Sequence, residues 1–346
     1  MVRLARAEVF DPNEVAIAHV YNRTVRRCFL MGDDAVSGKN FDHRKAWIGE
    51  YLQQFAAAFG IDLLGFAILS NHFHLILRTR PDVVATWDDR EVARRWLMLC
   101  PHRRSPDSAA MPPMQPEINS IANCPVKCAE IRKRLSNISW WMRLLCQRVA
   151  QRANHEDEET GRFFQDRYRA TRLVDEASLL ACAAYVDLNP IRAAMAQPLE
   201  ASDHTSVQRR IEALANRGAP ADPEQPGPAR DGYLSPLTID EQLDPTGPCP
   251  SQGSTRCSDK GFLAMSIEDY LELLDWSARQ WVPGKRGNTP DSIAPMSLTF
   301  VAYFLRRAGS RLATTCFGPL PITLRARQAV LGRQINPIGH NVTPRL

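Results

Sequence analysis

The residues with the clearest chemical potential are Asn71-His72-Phe73-His74, where two histidines flank one apolar residue. Side chains alternate faces along a β-strand, so His72 and His74 project from one side and Phe73 from the other. Neutral imidazole is a good ligand for divalent metals, and this pattern supplies two ligands while the middle residue packs a core. Taken alone, the same pattern also describes two histidines on a solvated sheet face. A second cluster, Tyr185-Val186-Asp187-Leu188-Asn189-Pro190, puts Tyr185 and Asn189 four apart and therefore on one helix face. A tyrosine hydroxyl can attack a phosphodiester phosphorus if the phosphate is polarised and its leaving oxygen stabilised, which is work for a metal ion. Beside Leu180, Cys182 and Val186, however, Tyr185 also fits a core tyrosine with its hydroxyl at the rim.

These residues need elements to position them. Residues 14–21 (EVAIAHVY) have the short apolar pattern of a largely buried strand. A helix follows, capped by Asn40 and ended by Gly60, with Trp47, Ile48, Tyr51, Leu52, Phe55 and Phe59 at helical spacing. Two β-rich runs, 61–69 and 72–79, broken at Ser70-Asn71, predict a hairpin that carries both histidines. After a helical patch at 90–99, the prolines up to Pro125 predict an insertion or loop over 82–128. A basic amphipathic helix is expected over 129–152, a strand over 161–174, and a helix from Asp175 that carries Tyr185 and ends before Pro190. The order strand, helix, strand, strand, helix, strand, helix predicts an α+β fold. Its form would be a ferredoxin-like antiparallel sheet with helices on one face.

The stretches SNHFHLIL and RFFQDRYRATRLVDEASLLACAAYVDLNPIRAA, in that order, resemble the HUH single-tyrosine transposases, in particular the REP-associated tyrosine transposase branch. HVYNRTVRRCFLMGD is a weaker third match, and the resemblance spans about residues 15 to 197. It implies that His72 and His74 are paired ligands of a divalent metal, Mg²⁺ or Mn²⁺, with Asn189 as a polar third ligand and Tyr185 as the nucleophile. Asp187, Gln165 or water are alternatives for the third position. The implied reaction is attack on single-stranded or hairpin DNA of a mobile element, giving a 5′-phosphotyrosine and a free 3′-hydroxyl that a later strand transfer reverses.

Basic residues suit such a substrate. Arg23, Arg26 and Arg27 follow the first strand, and Arg167, Arg169 and Arg172 lie on the segment entering the tyrosine helix. The basic face over 132–152 adds further candidates, with Trp140 and Trp141 available to stack on bases. The net charge of +5 permits an anionic partner without requiring one. No apolar run of about 18 residues predicts a membrane span, and the first residues lack the apolar core of a signal peptide, so a cytoplasmic location and no membrane partner are expected. Nine cysteines at irregular spacings read as reduced thiols. The expected division is a catalytic domain over 1–200, a linker over 201–260 and a helical extension over 261–346. Helices are expected in that extension at 266–280, 297–307 and 323–333, and it would engage a DNA hairpin or another subunit of a homodimer.

Two other readings belong to different functional classes. Ferredoxin-like sheets also bind single-stranded nucleic acid without cutting it, so an inactive or domesticated binding module would share the fold. A zinc-dependent regulator built on Cys124 and Cys128 is the other.

Overall fold

Ala18 and Val20 are fully buried while His19 and Tyr21 are half-buried, the alternation of a strand with one face in a core, β1 (Ile17–Arg23). The computed structural model describes residues 11–34, 37–105, 111–196, 199–216, 231–240 and 247–279; the helices expected at 297–307 and 323–333 lie outside them. β1 joins β2 (Ile61–Ile68), β3 (His72–Thr79) and β4 (Arg169–Leu173) in a four-stranded sheet of order β2-β3-β1-β4, with every neighbouring pair antiparallel. This is the strand order expected of a βαββαβ chain. The hairpin turns at Ser70-Asn71, where Leu69 N–H donates to the His72 carbonyl at 2.8 Å.

One face of the sheet, with Ala18, Val20, Phe73, Leu75 and Leu77, packs against α1 (His43–Ala58) and α6 (Ile138–Glu156). Trp141 of α6 is fully buried there, 5.4 Å from the ring of Phe55 and 5.2 Å from that of Phe59. Gly60 permits the entry to β2, since a Cβ at that position would meet Val84 Cγ2 at 2.0 Å. The segment 82–128 extends this layer as helices instead of looping out: α2 (Pro81–Thr86), α3 (Asp89–Leu99), α4 (Gln115–Ala122) and α5 (Pro125–Leu135). Pro81, Pro116 and Pro125 sit in first turns, where the missing N–H has no intrahelical partner to lose. The helix expected over 129–152 is interrupted at Ser136-Asn137, where Asn137 Oδ1 accepts Ser139 N–H at 2.7 Å and starts α6 anew.

The helical layer expected on one face is joined by a second layer on the other. Leu64 and Ile76 of the sheet are covered there by α7 (Glu176–Asp187), α8 (Asn189–Arg192), α9 (Ser206–Asn216) and α10 (Ile267–Arg279), through Leu180, Ala184, Ile191, Val207, Leu273 and Leu274. Within 201–260, read as a linker, the described residues are largely packed: Leu234 and Leu237 are buried, and Ser258 bonds both oxygens of Asp62 at 2.8 Å.

The strand expected over 161–174 is shorter than its alternation suggests. Phe163, Phe164 and Tyr168 all enter the first core, which a strand's alternating faces would forbid, so regular pairing begins only at Arg169.

Candidate functional site

The face of the sheet beneath α7 changes character along its strands. Ile17 and Ile76 belong to the apolar cluster; toward the β2–β3 turn come His19 opposite Thr171, Tyr21 opposite both His74 and Arg169, and Arg23 opposite His72. Cross-strand partners share a face, so His19, Tyr21, Arg23, His72, His74 and Arg169 form one polar platform. The β2–β3 turn is fastened beside it, with the Asn71 carbonyl accepting from Thr24 N–H at 3.0 Å and the Ser70 carbonyl from Met31 N–H at 2.9 Å.

The two expected histidines come together. Their ring centroids are 5.0 Å apart with planes at 82°. His72 Nδ1 lies 2.6 Å from Asn71 Oδ1, a contact that a proton on Nδ1 satisfies, since an amide oxygen accepts. His74 is buried, and its Nδ1 lies 2.9 Å from His19 Nε2, the two rings stacked with centroids 5.0 Å apart. Burial pulls the His19 imidazole down to about 4, so at neutral pH its nitrogen can accept the His74 Nδ1 proton. A hydrogen bond at the second ring nitrogen is the usual device by which the tautomer and orientation of a metal-binding histidine are fixed.

Tyr185 on α7 lies over this platform, its ring 5.5 Å from that of His74 and 6.1 Å from that of His19, both edge-on. Burial pushes its phenol above the ordinary value, while a hydrogen bond with Asn189 and the charge of Arg23 act in the opposite direction. Asn189, one turn further on, is therefore beside the phenol, as its spacing required. The Arg23 guanidinium lies 5.7 Å from the Tyr21 ring centroid, and its Nε is buried with no hydrogen-bond partner among the described residues.

The residue types fit a divalent ion in their chemistry: two imidazoles at neighbouring rings, with the Asn189 carboxamide beside the Tyr185 phenol. Among the described residues no group of three or more His, Cys, Asp or Glu is placed around a common metal position. That finding gives no support to a site at Cys124 and Cys128. Asp187 is excluded as a third ligand. It turns into the second core and is engaged by Ser206, Val207 and Tyr270.

The remaining sequence-derived residues divide. Arg169 is exposed on the same face as Tyr21. Arg167 is exposed in the segment before β4, near Gln165, whose backbone N–H donates to the Arg23 carbonyl at 2.8 Å. Arg172 pairs with Ala18, which places it on the opposite face, where it meets Glu14 at 3.3 Å. Trp141 is buried in the first core, and Trp140 meets Trp96 edge-on while the guanidiniums of Arg134 and Arg143 lie over its ring. Much of the basic face of α5 and α6 serves structure: Arg132 donates to the carbonyls of Val84 and Trp87, and Arg148 to that of Leu99.

His19 and Tyr21 were not expected in the site, and Asn71 stood with the histidine motif but was given no role. The signal available for the first two was the alternation His19, Tyr21, Arg23, a polar stripe on an otherwise apolar strand.

No protein-family model and no curated protein matches the sequence. Among solved structures, the chain is similar to one described as a REP-associated tyrosine transposase bound to a REP hairpin, at 10% identity and a TM-score of 0.35, over 64% of this chain and 89% of that one. No described helix is long and apolar enough to cross a membrane.

Proposed function

We propose that the chain is a metal-assisted DNA strand transferase in which Tyr185 cleaves and rejoins single-stranded or hairpin DNA. The observation that carries this reading is the convergence, from separate elements, of Tyr185 with two imidazoles whose Nδ1 atoms are both engaged in side-chain hydrogen bonds. A module that only binds nucleic acid has no physical need for that combination.

In the proposed step the Tyr185 oxygen forms a bond to phosphorus as the bond from phosphorus to the 3′-oxygen breaks. The phenol loses its proton and the departing 3′-oxygen gains one, so one phosphodiester replaces another and no energy source is consumed. Asn189 hydrogen-bonds the phenol and Arg23 places positive charge near it, both favouring the phenolate over the resting phenol that burial maintains. The buried Arg23 Nε would find its acceptor in a phosphate oxygen. Mg²⁺ or Mn²⁺ held by His72 and His74, with Asn189 at hand, would neutralise charge developing on the phosphate. Arg169 and Arg167 would hold the flanking backbone.

The test is incubation with labelled single-stranded DNA, including hairpins from the DNA flanking the coding region, plus Mn²⁺, followed by denaturing electrophoresis. A metal-dependent covalent band that disappears in Tyr185→Phe, with gel-shift affinity retained, is the expected result. Binding without any covalent band on such DNA would favour the inactive binding module instead. Unaltered cleavage by the His72→Ala, His74→Ala double variant would remove the metal assignment.

A further inference from the structure

Asp187 is a buried carboxylate that the proposed chemistry does not use. It follows Tyr185 by two residues, so the two side chains leave α7 on nearly opposite sides. Its Oδ1 accepts from Ser206 Oγ at 2.6 Å and from Val207 N–H at 3.0 Å, at the start of α9. Its Oδ2 accepts from the Tyr270 hydroxyl of α10 at 2.7 Å. Both Asp187 and Tyr270 are almost wholly buried.

Two more ties run between the same elements. At the start of α7, Glu176 Oε1 accepts from Ala264 N–H at 3.4 Å, just ahead of α10. Past its end, Arg192 of α8 donates to the Ser277 carbonyl of α10. Leu273 and Leu274 of α10 share one apolar cluster with Leu180, Ala184 and Val186 of α7. The segment leading into α10 and α10 itself thus grip the tyrosine helix at its start, at its last turn and just beyond. Withdrawing α10 would take a hydrogen bond from a carboxylate already removed from water, so the attachment is strongly favoured.

We propose that α10 is the positioning element of the tyrosine helix: Tyr270, by fixing Asp187, holds Tyr185 over His74 of its own chain. The catalytic set is then assembled within one chain, and α10 acts on the site through the tyrosine helix. This role rests on the reading of Tyr185 as nucleophile.

Tyr270→Phe in the full chain removes one hydroxyl and keeps the ring's packing; Leu273→Ala loosens α10 without touching Asp187. Amide hydrogen exchange over 183–188 should rise about ten-fold in both variants while α1 and α6 remain unchanged. Adduct formation by Tyr270→Phe should slow by about ten-fold at unchanged gel-shift affinity, the mark of lost orientation and not of lost binding. A mixture of Tyr185→Phe chains with His72→Ala, His74→Ala chains should form no adduct. Exchange over 183–188 that stays at the wild-type level, or that rises equally everywhere, overturns the positioning role whatever the chain does to DNA. Adduct formed by the mixture overturns the single-chain assembly. A wild-type chain that forms no adduct while exchange responds as expected overturns instead the nucleophile reading beneath it.

Discussion

His19 touches His74 from the neighbouring strand, and its replacement tests whether that contact orients a ligand or merely fills space. His19→Phe keeps the stacked ring and removes the acceptor for His74 Nδ1. Outer partners of metal-binding histidines typically contribute about 10- to 100-fold in metal affinity or activity, so Mn²⁺ binding followed by electron paramagnetic resonance should weaken by that order. His19→Gln, which can still accept, should recover part of the loss; equal binding by all three proteins would mean that the contact only packs. Arg23 makes a separate prediction. Arg23→Ala should lower the slope of DNA affinity against salt by about one phosphate contact, with Arg23→Lys restoring charge but not the forked geometry. Arg172→Ala, on the opposite face and already facing Glu14, should leave that slope unchanged.

At the scale of elements, the tyrosine helix begins where its capping residue says it should. Asp175 Oδ1 accepts Ser178 N–H at 2.7 Å, and Asp175→Ala should cost about 1 kcal/mol in urea denaturation, as N-cap losses do. The hairpin was equally legible, because Ser70-Asn71 separates two runs of strong β character. Reading 82–128 as an insertion or loop on the strength of its prolines left open that they start helices. Proline breaks a helix interior but suits a first turn, and only the packing of Val83, Val92, Leu97 and Ile121 on the first core reveals which case applies. The segment 161–168 failed in the opposite direction: its alternation looked like a strand, yet adjacent Phe163 and Phe164 both found places in one core.

Over the whole molecule, a buried ionic knot joins the sheet to the segment read as a linker. Asp62 meets Arg78 at 2.8 Å and Arg80 at 3.2 Å, and Arg78 also donates to the carbonyls of Gly261 and Lys260. Asp62→Ala would leave two buried guanidiniums without their shared carboxylate and should destabilise the fold by about 3–5 kcal/mol, measured by chemical denaturation. The amino-acid sequence by itself determined the elements that carry the site, His72 and His74 on one strand face and Tyr185 one turn ahead of Asn189, because periodicities of two and of 3.6 are local properties of the chain. The second helical layer was not read from it and shows only in the structure, where β2 is buried at every position, as a strand covered on both faces must be. What only the tertiary structure decided is which face each residue shares with distant ones. The β1–β3 register set His19 and Arg23 beside the histidines, the β1–β4 register turned Arg172 away, and long-range packing drew Tyr270 onto Asp187. Strand register and the docking of helices are set by non-local burial, and no spacing within one segment encodes them.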